Sequence, residues 1–162
     1  MQQTLTPRDA IDPSRTLPSV ELVPDKALAA GKGSFSVEQH SIISDGISVG
    51  KLVLSQDRKG REAWLNGINV HKDVKINGES ARGQGFGTAA YLAAIEMAHS
   101  EGATFRTHDW SQTEHAVKVW QRFIGAGIGE VVEPFVPYKK GHEQQQQLYS
   151  GHVRIPPPQL HA

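Results

Sequence analysis

The chain has 162 residues, with 17 basic and 17 acidic side chains and no cysteine. A chain of this length fits one domain around a single hydrophobic core. The absence of cysteine excludes a disulfide framework, a thiolate metal site and a thiol nucleophile. Because the opposite charges are equal in number, we expect no nucleic-acid partner held by a bulk positive field.

The sequence also argues against a membrane protein and an exported one. No run approaches the ~18 apolar residues that span a bilayer, and the N-terminal segment lacks the apolar core of a signal peptide. Residues 1–18 are polar and proline-containing, so we expect a loose arm there. One domain over residues 19–156 and a short Pro-rich tail over 157–162 complete the chain. The sequence therefore predicts a soluble, cytoplasmic, single-domain protein.

The first half of the domain has the composition of antiparallel strands. Runs rich in β-branched and alternating apolar residues predict three consecutive strands: residues 34–44, 47–56 and 62–71. Asp45-Gly46 is a dipeptide typical of hairpin turns. A shorter strand is predicted over residues 19–23, and Pro24 is expected to end it.

In the second half the apolar pattern takes a helical period. A helix is predicted over residues 88–100, and a second one runs to Ile124. Residues 111–114 have the spacing of a capping box, with Ser111 as the cap. The remaining predicted strands are residues 103–110, 130–138 and 147–155. This order predicts an α/β fold of the α+β kind, with a mixed, mostly antiparallel sheet flanked by helices.

The sharpest local signal is a glycine-rich turn before the first helix, Arg82-Gly83-Gln84-Gly85-Phe86-Gly87-Thr88. A helix N-terminus exposes unpaired amides and carries partial positive charge, and glycines let a phosphate approach the backbone closely. Arg82 and Thr88 add a cation and a hydroxyl donor. These features predict an anion site. The alternative is a tight loop that merely needs positive φ angles.

Two other phosphate-binding motifs do not fit this turn. A dinucleotide fingerprint on Gly85, Gly87 and Ala90, with Asp109 as the ribose partner, needs a buried strand directly before it, whereas residues 75–80 are polar. A P-loop needs Gly-Lys-Ser/Thr, which is missing. The 8 histidines show no metal-binding pattern, so no metal site is predicted either.

The turn and the element order resemble the GNAT superfamily of acyl-CoA-dependent N-acyltransferases. Arg82-x-x-Gly85-x-Gly87 matches that family's Q/R-x-x-G-x-G/A pyrophosphate loop between the fourth strand and a helix, and the similarity extends over residues 34–155. A weaker second motif, N-x-x-A-x-x-x-Y, is matched at Ala116 only. Thr113 and Trp120 stand where the family has Asn and Tyr.

The resemblance implies transfer of an acetyl group from acetyl-CoA to a primary amine of a small molecule or protein. The fourth and fifth strands would part, and the pantetheine arm would lie between them like an extra strand. The residues implied to bind acetyl-CoA are Ile68, Asn69, Val70, Arg82, Gly83, Gln84, Gly85, Phe86, Gly87 and Thr88. An amide at Asn69 or Val70 would polarise the thioester carbonyl. The amine would attack directly, with no metal and no covalent enzyme intermediate.

An attacking amine must lose a proton, so a base with access to water is useful. Glu62 is one candidate, because alternation along residues 62–71 places it on the same face as Trp64, Ile68 and Val70. The family often has a carboxylate near this strand.

Further candidates lie at the end of the fifth strand. His108 and Asp109 point to opposite faces, so only one of them can serve as the base. The family's usual proton donor to the leaving thiolate falls at Trp120, whose indole is no practical acid. Loss of this acid is survivable in principle, because a thiolate whose thiol pKa is around 8.5 is a tolerable leaving group near neutrality. Ser111 and Tyr138 are candidate substitutes, directly or through water.

Two functions therefore stay open. The first is an active acetyltransferase. The second is a catalytically weak or inactive CoA-binding or interaction module, which Trp120 favours. The segment before Ser34 also favours it, because it is too short for the two helices that generally cover the acceptor site, and a reduced N-terminal helical segment is expected. A homodimer is compatible with the sequence, which does not specify the acceptor.

Overall fold

The computed structural model describes residue 11 and residues 16–28, 35–57, 59, 61–108, 112–140 and 147–158. Its strands are β1 (Glu21–Leu28), β2 (Phe35–Ser44), β3 (Ile47–Asp57), β4 (Glu62–Val70), β5 (Lys75–Ile76), β6 (Glu79–Ser80), β7 (Thr104–Arg106), β8 (Gln112–Thr113), β9 (Glu130–Lys140) and β10 (Gln147–Ile155). Its helices are α1 (Phe86–Ser100) and α2 (Glu114–Gly125). None of the described helices is long and apolar enough to cross a membrane.

One mixed sheet organises the fold. Its strands follow the order β1-β2-β3-β4-β7-β10, and β8 and β9 both pair with β10. All of these pairs are antiparallel except β4 with β7, which α1 connects by a crossover. The predicted fold class, a mostly antiparallel mixed sheet flanked by helices, is confirmed.

The core lies between the helices and one face of the sheet. The ring of Trp120 on α2 stacks on Phe105 of β7, with 5.6 Å between centroids, and meets the edge of Tyr91 on α1 at 6.0 Å. Phe123 completes the cluster and is fully buried, while Trp120 is 2% exposed. Trp120 is therefore a core residue that joins both helices to the sheet.

A β-bulge interrupts β4. Leu65 pairs with Leu54 of β3 and Gly67 pairs with Val53, which leaves Asn66 as an extra residue. The Asn66 side chain donates a hydrogen bond to the hydroxyl of Ser55 on β3. It accepts one from the indole N–H of Trp64 on β4.

The bulge reverses the alternation of β4. Glu62 and Trp64 lie before it on the second face of the sheet, whereas Ile68 and Val70 lie after it and pack against the core. The prediction that these four side chains share one face is wrong. One inserted residue shifts the two-residue period and moves every following side chain to the other face.

Two further elements differ from the sequence-based expectation. β1 continues through Pro24 to Leu28 with a register shift, because this edge strand tolerates a missing amide donor. Residues 75–80 form a small hairpin rather than a loop, and Asn77 and Gly78 adopt positive φ angles of 54° and 82° at its turn.

The second helix is capped differently from the prediction. The Thr113 hydroxyl accepts a hydrogen bond from the amide of Ala116 at 3.2 Å, so Thr113 rather than Ser111 is the N-cap. Ser111 itself lies outside the described residues, as do residues 1–10, 12–15 and 159–162 of the predicted arm and tail. Of the predicted arm, Ile11 and Leu17 are each 4% exposed and belong to the core.

Candidate functional site

Strands β4 and β7 pair over a short stretch and then separate. Their parallel ladder joins Glu62 to Thr104 and ends at Trp64 and Arg106. β4 continues to Val70, where β3 is its one strand partner within the described part of the chain. One edge of β4 after Trp64 therefore has no partner among the described strands, and we call the space beside it, from Trp64 to Val70, the gap.

A pocket of about 400 Å³ lies at the Val70 end of this gap, between the end of β4, the glycine-rich turn and both helices. It is lined by Ile68, Asn69, Val70, Ala81, Arg82, Gly83, Gly85, Phe86, Gly87, Thr88, Tyr91, His115, Val119 and Arg122. This lining has two guanidinium groups and no carboxylate. A wall of one charge sign raises the local concentration of the opposite ion, so the pocket favours an anion.

The glycine-rich turn presents the start of α1 to this pocket. Gly83 and Gly85 have φ angles of 83° and 91°, a region in which an L side chain is strained. Gly85 is the N-cap and supplies no side chain, and the first turn of α1 contains no acidic residue. The first amides of α1 therefore have no side-chain acceptor from the cap, as an anion site at a helix N-terminus requires.

Arg82 connects the turn to β4. Its Nε donates to the carbonyl oxygen of Val70 at 2.8 Å, and its Nη2 donates to Oδ1 of Asn69 at 3.1 Å. The sequence had suggested Arg82 only as a cation for a phosphate. In the structure its planar guanidinium also fixes the distance between the turn and the end of β4.

Gln84 is the one predicted acetyl-CoA residue that does not line the pocket; the other nine do. Its side-chain amide instead donates to the carbonyl of Ser80 at 2.7 Å and to those of Ile76 and Glu79 at 3.3 Å. The Gln84 side chain therefore anchors the turn to the hairpin formed by β5 and β6.

Three residues of α2 line the pocket, His115, Val119 and Arg122, and none of them was predicted from the sequence as a site residue. Nη1 of Arg122 donates to the Thr88 hydroxyl at 3.0 Å, and Nε2 of His115 lies 3.9 Å from where a Cβ on Gly87 would stand. With Val119 they recur at positions i, i+4 and i+7, which places them on one helix face. That spacing is the signal that could have found them.

Tyr91 is the pocket residue nearest to the aromatic core. Burial raises the pKa of its hydroxyl to about 12, because an apolar surrounding disfavours the phenolate. Tyr91 therefore stays protonated and can act as a hydrogen-bond donor. Trp120, which occupies the family's tyrosine position, does not line the pocket.

Glu62 lies where β4 pairs with β7 and forms an ion pair. Its carboxylate accepts a hydrogen bond from Nε of Arg106, whose side chain is 11% exposed, while that of Glu62 is 38% exposed. The Arg106 guanidinium also lies 4.3 Å from the Trp64 ring centroid and donates to the Thr107 carbonyl at 2.8 Å. The Glu62 carboxylate is thus already directed at a cation.

The other candidate catalytic residues are less well defined. His108 is half-buried just after β7, and its carbonyl accepts from the Gln112 side chain at 3.4 Å. Asp109 and Ser111 lie outside the described residues, and Tyr138 on β9 is 63% exposed. In the part of the chain that is described, no group of three or more His, Asp or Glu residues could hold a metal ion.

No protein-family model matches this sequence, and no curated protein matches it significantly. Among solved structures, a presumed acetyltransferase from Sphaerobacter thermophilus superposes with a TM-score of 0.50 at 9% identity, over 91% of this chain and 82% of that chain. The chain has the fold of the GNAT acetyltransferases. Within this fold, β4 and β7 pair only from Glu62 to Trp64, and the glycine-rich turn follows β4 and its adjoining hairpin.

Two other solved structures are similar at low identity. Nourseothricin acetyltransferase has a TM-score of 0.49 and 18% identity, over 96% of this chain and 97% of that chain. The aminoglycoside 6′-N-acetyltransferase from Enterococcus faecium has a TM-score of 0.41 and 15% identity, over 76% and 77%. The names of these two enzymes describe those enzymes and assign no substrate to this chain.

Proposed function

We propose that this protein is an N-acyltransferase that moves an acetyl group from acetyl-CoA to a primary amine of a small molecule or protein. The observation that carries the proposal is the continuity of two binding surfaces. A carboxylate-free anion pocket at the N-terminus of α1 leads directly into the unpaired edge of β4. A diphosphate joined to an extended chain with amide groups matches both surfaces, and CoA is such a ligand.

The diphosphate would lie against the amides of the glycine-rich turn, with Arg122 and His115 on its far side. The pantetheine arm would run along the edge of β4 and pair with its backbone as an added strand does. Ile68 and Val70 would supply the apolar contact.

The thioester position follows from the length of that edge. From Val70 back to the bulge at Asn66 the strand covers about 13 Å at 3.3 Å per residue, which suits an extended pantetheine arm. We therefore place the thioester beside the bulge, where β4 and β7 part. The amides of Asn69 and Val70, first considered for the thioester carbonyl, would hold the arm, and an amide next to Asn66 would polarise that carbonyl.

Two measurements test this proposal. Calorimetry should show binding of CoA by the wild-type protein, and turnover should release CoA thiol when acetyl-CoA is mixed with a panel of primary amines. Because the chain has no cysteine, a thiol reagent reports CoA alone. Absence of CoA binding would contradict the proposal, because transfer from acetyl-CoA requires it.

A second candidate function is a CoA-binding module without turnover. It is favoured by the burial of Trp120 in the core and by the ion pair that occupies Glu62. This module would bind CoA in the calorimeter but release no thiol with any amine of the panel, whereas the enzyme does both.

We also propose a cytoplasmic location and a homodimer. A chain without cysteine forms no disulfide and therefore needs no oxidising compartment. The exposed apolar side chains of β9, a strand that pairs with β10 alone among the described strands, support self-association: Val131, Val132, Val136 and Tyr138. Light scattering of the purified protein measures the mass, and a monomer would exclude the dimer.

A further inference from the structure

We propose that the Tyr91 hydroxyl donates a hydrogen bond to an amide carbonyl of the pantetheine arm of bound CoA. This inference rests on the CoA binding of the proposed function, and it assigns a binding residue on α1 outside the glycine-rich turn. Three features of Tyr91 support it: how its ring is held, what its hydroxyl contacts and how far into the pocket it lies.

The Tyr91 ring is held by packing in the aromatic core. Tyr91 is 6% exposed. Its ring meets the edge of Trp120 with 6.0 Å between centroids and lies 6.4 Å from the ring of Phe123. These contacts involve the rings alone. Phenylalanine could make the same contacts, so packing of the core does not account for a hydroxyl at this position.

The Tyr91 hydroxyl is accessible from the pocket and has no partner in the described part of the chain. Tyr91 lines the pocket, and its oxygen forms no hydrogen bond with any described residue. That oxygen is not enclosed either, because Nδ1 of His40 is the one fully enclosed side-chain polar atom without a partner among the described residues. A polar group placed in this way in a pocket is available to a ligand.

The protonation state makes this hydroxyl a donor. Burial raises the pKa of Tyr91 to about 12, so the phenol keeps its proton at physiological pH. A neutral phenol donates to a ligand oxygen without forming a charged pair. The Tyr91 hydroxyl therefore suits a carbonyl oxygen.

The position of Tyr91 along α1 favours pantetheine over the diphosphate as its partner. Tyr91 follows Gly87 and Thr88 by four and three residues, so it lies on the same helix face about 5 Å farther from the N-terminus. Arg122 donates to the Thr88 hydroxyl, and the His115 imidazole lies beside Gly87. Tyr91 thus lies beyond the groups that would hold the diphosphate.

The inner lining of the pocket suits a neutral amide better than a phosphate. Ile68 lies two residues before Val70, about 7 Å along β4 from the glycine-rich turn. Ile68 is half-buried, Val119 is 2% exposed, and both line the pocket with Tyr91. An amide carbonyl next to such apolar side chains needs a hydrogen-bond donor. Pantetheine carries amide groups along its length, and the Tyr91 hydroxyl supplies the donor.

The test compares Tyr91→Phe with Tyr149→Phe, because each variant loses one phenolic hydroxyl. Tyr149 is the matched control, since it is half-buried on β10 and does not line the pocket. We expect the Kd for CoA in calorimetry to rise about three- to tenfold in Tyr91→Phe and to stay unchanged in Tyr149→Phe. Equal Kd values for the two variants would overturn the inference while the transferase function stands.

Two truncated ligands locate the acceptor atom. The nucleotide part of CoA, 3′-phospho-ADP, has the diphosphate but no pantetheine arm, so Tyr91→Phe should bind it as tightly as wild type does. Desulfo-CoA keeps the amides and lacks the sulfur, so its Kd should rise as the Kd for CoA does. Weaker binding of the nucleotide, or unchanged binding of desulfo-CoA, would overturn the assignment to a pantetheine amide.

Urea unfolding without ligand separates a ligand contact from a structural role. Because the hydroxyl has no partner among the described residues, Tyr91→Phe should keep the wild-type free energy of unfolding at neutral pH. A clear loss would give the hydroxyl a structural role and overturn the inference. A wild-type protein that binds no CoA would instead overturn the proposed function, and the inference with it.

Discussion

Arg82 and Val70 are joined by a 2.8 Å hydrogen bond from the guanidinium Nε to the backbone carbonyl oxygen. This bond links the turn that would hold the diphosphate to the last residue of the strand that would hold pantetheine. A second bond to Asn69 makes the contact two-pronged. The two halves of the proposed CoA site are therefore joined before any ligand arrives, which would lower the ordering cost of binding.

Arg82→Lys tests this link apart from the charge. Lysine keeps the cation but cannot reproduce the two-pronged geometry, so the Kd for CoA should rise about tenfold. Calorimetry at fixed salt measures it. An unchanged Kd would mean that Arg82 acts through charge alone.

Arg122→Gln tests the cationic wall on α2. The variant loses a guanidinium within the pocket and its bond to Thr88, so CoA should bind more weakly and with a smaller dependence on salt. Lys118→Gln is the matched control, because Lys118 is on the same helix, is exposed and, among the described residues, forms its one ion pair with Glu114 at 3.8 Å. Equal affinity of both variants for CoA would remove Arg122 from the site.

Trp120→Phe tests whether the residue at the family's tyrosine position takes part in chemistry. Because the indole packs on Phe105 and Tyr91 and does not line the pocket, turnover should stay within about twofold, at a cost in stability of roughly 1–3 kcal/mol. Thiol release and urea unfolding measure the two effects. A large loss of kcat in a folded variant would contradict the structural role.

Gly50→Ala tests the placement of β4. A Cβ at Gly50 would stand 2.3 Å from the carbonyl oxygen of Asn69, so β4 must move and CoA affinity should fall. Gly125→Ala is the control, since among the described residues no heavy atom beyond its chain neighbours and the helix backbone lies within 4 Å of the added methyl group at the end of α2. CoA affinity in Gly50→Ala equal to that of Gly125→Ala would show that the strand edge is not part of the site.

The Tyr91 hydroxyl makes the free energy of unfolding depend on pH. Its pKa is about 12 in the folded chain and about 10 in the unfolded chain, so its contribution is complete below pH 10 and is lost as the pH rises toward 12. Linkage gives roughly 2–3 kcal/mol between these limits. Urea unfolding of wild type and Tyr91→Phe across this range measures it. If wild type and Tyr91→Phe lost the same free energy of unfolding as the pH rises, Tyr91 would not contribute to the pH dependence.

Local patterns in the sequence identified the glycine-rich turn and both helices, because their signals lie within a few neighbouring residues. The bulge at Asn66 was not identified, since alternation assumes an unbroken two-residue period. Its sign in the sequence is an Asn-Gly dipeptide inside a strand.

Contacts between distant parts of the chain were also beyond local patterns. Glu62 and Arg106 are 44 positions apart, and Thr107 and His152 are 45 apart. Only strand order brings such pairs together. The glycine-rich turn was therefore predictable from the sequence. The hydrogen-bond partners of the candidate bases were not.

The crystal structure of the protein with CoA tests the central claim most directly. We predict a diphosphate within hydrogen-bond distance of the amides at the start of α1, and a pantetheine arm that extends along β4 toward Asn66. A CoA molecule whose diphosphate lies away from the glycine-rich turn, with the edge of β4 empty, would contradict the account.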